Sequence, residues 1–318
     1  DDPLLRAAYS AHVGTFRAAL ALFDRPARYI TIPFEGGHLN GYLHSPDATA
    51  TRRPTIIMPA GYDSTAESMF GVPDALGRGY NVLTFEGPGQ GGVLYDQRIY
   101  FRPDTEVVFA PVVDWLLSQP EVDPDAIVLF GRSFGGYTAA RAAAFEHRLA
   151  ALVLDPAQPR MADRIPDGLV GMIAPHIVNA QMRLSDNRAE FFHSRMAAHN
   201  IDTIEDYFAE LSRFDMLDVA GQIDCPTLII EAEHDFAGGS GQLLKDAMTA
   251  PTTLVNLTAD MGADGHCAGL GQRVWAGVVY PWLQVTLADR NSEAAPTPIH
   301  ASAPSAAAAT ADREPTTP

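Results

Sequence analysis

The chain has 318 residues, 47% of them hydrophobic and 19% charged, with a formal net charge of −17. That size and mix suit one large domain or two small ones with a substantial core, and they exclude wholesale disorder. The negative charge disfavours nucleic-acid partners, no run of about 18 uncharged apolar residues is present to span a bilayer, and no basic cluster suits a membrane surface. A small-molecule substrate is the expected partner. Two cysteines, Cys225 and Cys267, form no disulfide framework, and no CxxC pair signals zinc. A reduced, cytoplasmic setting is the expectation.

Residues 3–24 carry apolar side chains at helical spacing, including Leu5, Val13, Phe16, Leu20 and Phe23. An N-terminal helical segment over 1–25 is predicted. Short, nearly all-apolar runs follow at 28–34, 38–44, 55–59, 80–85, 126–130, 150–154, 227–231 and 253–257. The first two read as a hairpin turning at Glu35-Gly36-Gly37. The later ones have the pattern of parallel strands buried on both faces. Helical patterns separate them at about 66–78, 104–118, 134–147, 240–249 and 268–288. Strand and helix in alternation imply a three-layer α/β architecture: a mostly parallel eight-stranded sheet flanked by helices. The core is expected at 26–156 and 222–289.

The stretch 157–221 breaks the alternation. It holds helical patterns without a clear strand and is too long for a plain connection. A helical lid inserted after the sixth strand is the expectation. Residues 290–318, rich in Ala, Pro and Thr, read as a disordered tail. The apolar N-terminal helix and lid are compatible with a homodimer.

The strongest local signal is Gly131-Arg132-Ser133-Phe134-Gly135-Gly136, which follows a strand and opens a helix. That context turns G-x-S-x-G into a nucleophile elbow. A sharp strand–turn–helix holds the serine in a strained backbone conformation, and Gly131 and Gly135 keep its surroundings free of side chains. The hydroxyl then stands at a helix N-terminus, where an anion is favoured. A serine needs a base, and this architecture supplies an acid after a late strand and a histidine after the last one. Asp235 and His266 occupy those places. Ser133 would attack, His266 would move the proton, and Asp235 would fix the imidazole tautomer. Asp155, at the end of the sixth strand, competes for the acid role. The oxyanion donors would be the backbone N–H groups of Phe134 and Tyr62, with Gly61 permitting close approach.

Asp63 suits a helix cap, with holding its own loop and substrate contact as the other readings. The run Phe85-Glu86-Gly87-Pro88-Gly89-Gln90-Gly91-Gly92 lacks the ending of a phosphate loop and reads as a tight turn at the rim of the site. Glu86, Arg132, His176, Arg183, His193 and His199 are the remaining candidate substrate contacts.

Together, GYDST, FEGPGQG, GRSFGGY and GADGHC resemble the α/β-hydrolase superfamily, over roughly 28–288. They are most similar to the branch of FrsA-like hydrolases, 2,6-dihydroxypseudooxynicotine hydrolase and fungal Ayg1-type enzymes. The resemblance implies a triad on Ser133, Asp235 and His266 with oxyanion donors at Tyr62 and Phe134. It implies no cofactor or metal. Several members of the branch cleave a carbon–carbon bond beside a ketone, so hydrolysis of a polyketide-like or aromatic 1,3-dicarbonyl is the leading expectation. An ester, thioester or peptide hydrolase has the same triad, and a cyclase, lyase or binding protein on this fold is the third reading. The N-terminal region here is shorter than the branch's.

Overall fold

The computed structural model describes residues 3–68, 71–166 and 168–294. Its elements in chain order are α1 (Pro3–Leu20), β1 (Ala27–Phe34), β2 (Gly37–His44), β3 (Arg53–Pro59), α2 (Val72–Gly77), β4 (Asn81–Glu86), α3 (Gly91–Tyr95) and α4 (Glu106–Leu117). Then come β5 (Val122–Arg132), α5 (Gly135–Ala143), β6 (Ala151–Asp155), α6 (Gly168–Leu184), α7 (Asp186–Ala198), α8 (Ile204–Leu211), β7 (Thr227–Ala232), α9 (Gly241–Ala247), β8 (Thr252–Leu257) and α10 (Gln272–Ala294). The eight strands form one sheet in the order β1-β2-β4-β3-β5-β6-β7-β8. Strand β2 runs antiparallel to both its neighbours, β1 and β4; every other pairing is parallel. This is the architecture that the resemblance implied.

Alternation along each strand explains why the sheet is buried twice over. Ile57, Leu83, Leu129 and Leu152 pack on one face with α4 and α5, while Ile56, Val82, Val128 and Val153 pack on the other with α10. Successive side chains of a strand point to opposite faces, so an unbroken apolar run feeds two cores. Each fully buried aliphatic side chain adds about 1.5–3 kcal/mol. The β1–β2 hairpin turns on Glu35 and Gly36, both at positive φ (45° and 82°), as a two-residue hairpin turn requires.

Local chemistry moves several boundaries. Helix α2 starts at Val72 rather than near 66, because Gly71 in the left-handed region and Pro73 in the first turn set its entry. The glycine-rich rim turn contains a short helix, α3, that its composition hides. The helix expected from 268 begins at Gln272, since Gly271 lies against Ala263 with no room for a side chain. Helix α10 runs on to Ala294, so the expected tail does not begin at 290. Residues 295–318 of that expectation lie outside the described residues.

Helices α6, α7 and α8 fill the interval between β6 and β7. The insertion leaves and rejoins the core at one place, where Arg160 pairs antiparallel with Asp215. Two backbone hydrogen bonds flank the pair, Met161 N–H to Phe214 O at 2.9 Å and Met216 N–H to Pro159 O at 3.0 Å. Among the described residues, no helix is long and apolar enough to cross a membrane.

Candidate active site

Strands β3, β5, β7 and β8 deliver the site at their carboxyl ends, the edge where open parallel sheets bind ligands. Ser133 follows β5 with φ at 54°, a left-handed conformation that a non-glycine residue adopts only under constraint. The constraint is visible on both sides of it. A Cβ on Gly131 would lie 2.2 Å from Gly135 O, and one on Gly136 would lie 1.9 Å from Pro156 O. Gly135 differs from the expectation. Its Cβ would meet only Pro59 Cγ at 4.0 Å, so Gly136 is the second position that excludes a side chain. The Ser133 N–H donates to Asp155 O at 2.9 Å, and the Ser133 carbonyl accepts from Gln158 Nε2 at 2.6 Å.

Three side chains form a continuous chain of hydrogen bonds. Ser133 Oγ is 2.8 Å from His266 Nε2, and His266 Nδ1 is 2.8 Å from Asp235 Oδ1. Asp235 also accepts from the Ala237 N–H at 2.8 Å and the Cys267 N–H at 2.9 Å. Burial raises the Asp235 carboxyl's pKa, but the hydrogen bonds from His266, Cys267 and Ala237 outweigh it and hold the group below the usual carboxylate range. Asp235 is therefore charged at neutral pH, and a proton passing from Ser133 to His266 would create an imidazolium beside a fixed anion.

The competing carboxyl, Asp155, faces Arg132 instead, with Nη2 to Oδ2 at 3.7 Å. Burial pushes it up to about 6. Arg132 itself braces the histidine loop, donating to Cys267 O at 2.6 Å, and does not line the cavity over Ser133. His234 points away and pairs with Asp264 at 3.3 Å.

The loop after β3 passes close to the serine. A Cβ on Gly61 would lie 3.3 Å from Ser133 Cβ. Among the described residues, the backbone N–H groups of Tyr62 and Phe134 have no hydrogen-bond acceptor. Gln90 pins this loop from below. Its Nε2 donates to Ala60 O at 2.6 Å and Gly61 O at 2.8 Å, while its Oε1 accepts the Gly87 N–H at 2.7 Å. The sequence reading missed Gln90 and Gln158. A buried amide just after a buried strand was the available signal for the first.

The cavity over Ser133 and His266 encloses about 490 Å³. Its walls come from the β3 loop and the insertion, and are mainly apolar and aromatic, including Phe134, Phe191, Phe192, Tyr207 and Phe208. Phe236 lies over His266, with ring centroids 4.5 Å apart. Asp63 does not cap α2. It forms an ion pair with Arg195 at 2.7 Å, and Tyr62 and Asp63 also border a neighbouring cavity of about 510 Å³. His199 is buried behind Tyr62, hydrogen-bonded to its hydroxyl, and burial pushes it down to about 4. His176, Arg183 and His193 are exposed on α6 and α7 and do not line the cavity, so the helical faces carrying them point to solvent.

Glu86 is also outside that cavity. It is buried beneath α1, accepts from the Tyr9 hydroxyl at 2.9 Å and the Gly92 N–H at 2.9 Å, and is pushed up from its ordinary 4.5 to about 7 by burial and by the charge of Glu67. A carboxyl raised in the folded state stabilises the fold below its unfolded pKa and loses that contribution as pH rises through the folded value. Here the window is 4.5 to about 7 and the amount roughly 3 kcal/mol. Glu86→Gln is therefore expected to gain on the wild type by about 5 °C in Tm between pH 5 and pH 8. A Tm difference that stays constant across that range would refute this.

Asp235, His266 and Cys267 bring ligand atoms within 4.8 Å of one another, the one such grouping among the described residues. They fit a metal poorly. Burial pushes the Cys267 thiol up to about 12, and Asp235 and His266 are already bonded within the site.

Comparison with known proteins agrees with this fold. A family model described as "Alpha/beta hydrolase family" matches residues 56–312. The chain belongs to that family. Hydrolase LUC6 of a Fusarium species is 31% identical over 74% of this chain and 62% of its own length. The alpha/beta hydrolase psoB of Aspergillus fumigatus is 33% identical over 70% of this chain and 57% of its own. The chain thus spans less than two-thirds of these curated relatives. Among solved structures, 2,6-dihydroxy-pseudo-oxynicotine hydrolase is 26% identical, with a TM-score of 0.73 over 91% of this chain and 76% of that one.

Proposed function

We propose that this chain is a serine hydrolase that cleaves a carbon–carbon bond beside a ketone, with Ser133, His266 and Asp235 as its triad. The observation that carries the reading is the unbroken hydrogen-bond chain ending on Ser133 Oγ at a strained elbow, under a mainly apolar cavity with several aromatic rings in its walls. Ser133 Oγ attacks the ketone carbon and gives its proton to His266. The oxyanion that forms is held by the Tyr62 and Phe134 N–H groups. The tetrahedral species collapses, the C–C electron pair leaves as an enolate carbon, and His266 protonates it. Water, deprotonated by His266, then attacks the acyl-serine and releases a carboxylic acid. The net reaction consumes one water and yields an acid and a methyl or methylene ketone. Asp235 keeps His266 Nδ1 protonated and offsets the imidazolium charge at both steps.

Helices α6–α8 serve as the lid that keeps bulk water from the enolate. The aromatic walls suit a medium-sized, partly aromatic 1,3-dicarbonyl, the class suggested by the motif resemblance and by the hydrolase that is 26% identical. Ester hydrolysis differs only in the leaving group. A paired assay separates the two, comparing kcat/KM on a phenolic 1,3-diketone and on p-nitrophenyl acetate. The diketone is expected to be preferred by tenfold or more. Rapid turnover of the ester with an inert diketone would replace this reading with an esterase.

A further inference from the structure

The cavity over Ser133 is lined by one cation that, among the described residues, has no carboxylate within ion-pair distance. Its charged lining side chains are Asp63, Arg195 and Arg164, together with His266. Asp63 and Arg195 neutralise each other at 2.7 Å, and the Asp235 carboxylate, hydrogen-bonded to His266, acts on Arg164 only from beyond ion-pair distance. Arg164 has only neutral partners. Its Nη2 donates to Gln158 Oε1 at 2.7 Å and to Ala237 O at 3.0 Å. Among the described residues, no carboxylate lies within ion-pair distance of it, and its Nε and Nη1 groups have no acceptor. In a chain of net charge −17, an arginine at a cavity wall with free N–H groups and no ion-pair partner stands out as a site for an anion.

From this arrangement we infer that Arg164 binds an anionic group of the substrate, a carboxylate or an ionised enol, and so selects acidic substrates. The inference rests on the hydrolase reading, because it assigns specificity to the same cavity. Arg164 is well held for the task. The Gln158 amide that accepts from Arg164 also donates to the Ser133 carbonyl, and Ala237 donates to Asp235. A bound anion is thereby fixed relative to both the nucleophile and the acid loop. Packing of the side chain against the cavity wall lowers the guanidinium's pKa, the Asp235 carboxylate opposing this, while the residue stays exposed to solvent and open to an incoming anion. A planar fork with free N–H groups gives a carboxylate charge-assisted hydrogen bonds, which exceed those to a neutral amide.

The test is a binding measurement that does not depend on turnover. Titration calorimetry at pH 7.5 would compare 4-phenylbutyrate with 4-phenylbutanamide, a matched pair differing in charge. The wild type is expected to bind the carboxylate about tenfold more tightly or better. Arg164→Gln is expected to lose that preference, Arg164→Lys to keep part of it, and Ser133→Ala to keep it whole. Wild-type protein that binds both probes equally, or neither at millimolar concentration, overturns the inference. So does a preference that survives in Arg164→Gln. Where Arg164→Gln fails to fold, the wild-type comparison and Arg164→Lys still decide. Failure of the nucleophile reading shows separately, as unchanged ester turnover by Ser133→Ala.

Discussion

Ser133→Ala is expected to lower kcat by at least about 10⁴-fold on whichever substrate the enzyme turns over, with KM and Tm little changed. The size follows from what the hydroxyl does. Without Oγ there is no acyl-enzyme, and only the oxyanion donors and substrate positioning remain to assist water. Stability should hold, because the residue's strained φ of 54° is imposed by the surrounding turn and alanine carries the same Cβ. Asp235→Asn should also be severe, about 10⁴-fold, because an amide donates to His266 Nδ1 and forces the wrong tautomer. The readout is steady-state kinetics for each variant beside a thermal melt. Wild-type turnover in Ser133→Ala would remove the serine from the mechanism. It would leave His266-activated water as the attacking group.

The second large effect concerns two neighbouring glycines. Gly136→Ala is expected to destabilise the fold by more than about 4 kcal/mol, or to prevent soluble expression, whereas Gly135→Ala should be neutral or stabilising by up to about 1 kcal/mol. At Gly136 the new methyl would lie 1.9 Å from Pro156 O and 3.2 Å from Gln158 N, both backbone, so nothing flexible can yield. At Gly135 the methyl enters ordinary contact range of Pro59, and alanine suits the first turn of α5 better than glycine. Denaturant unfolding of the two variants measures the contrast. Equal stability would mean that the close approach of the 156–158 segment to α5 is not what holds the elbow.

Much of the fold was legible because periodicity encodes burial. Runs such as Ile56–Met58 and Ile127–Phe130 are apolar at every position, and only a strand covered on both sides needs that. The site was legible where chain order carries it: Ser133, Asp235 and His266 each follow a recognisable strand, and the structure places them in hydrogen-bond contact. What the sequence could not reveal depends on contacts between distant segments. Gln90 reaches back about 30 residues to hold the loop at Ala60, and Arg164 is informative only because, among the described residues, no carboxylate lies within ion-pair distance of it. The insertion shows the same limit from the other side. Its histidines and Arg183 were plausible contacts by composition, but which face of a helix turns inward is fixed by packing, and His176, Arg183 and His193 face out. Asp63 was named, while its partner Arg195 lies 132 residues away.

The single bridge at Arg160 and Asp215 carries an evolutionary consequence. A segment whose two ends meet at one rung can be lengthened, shortened or exchanged wholesale without shifting a strand of the sheet. The residues Ser133, Asp235 and His266 sit on loops of the sheet, while much of the cavity wall, Arg164 included, belongs to the exchangeable part. The cavity lining can therefore diversify by trading the 161–214 cassette, provided that a replacement still supports the β3 loop where His199 and Arg195 now hold Tyr62 and Asp63.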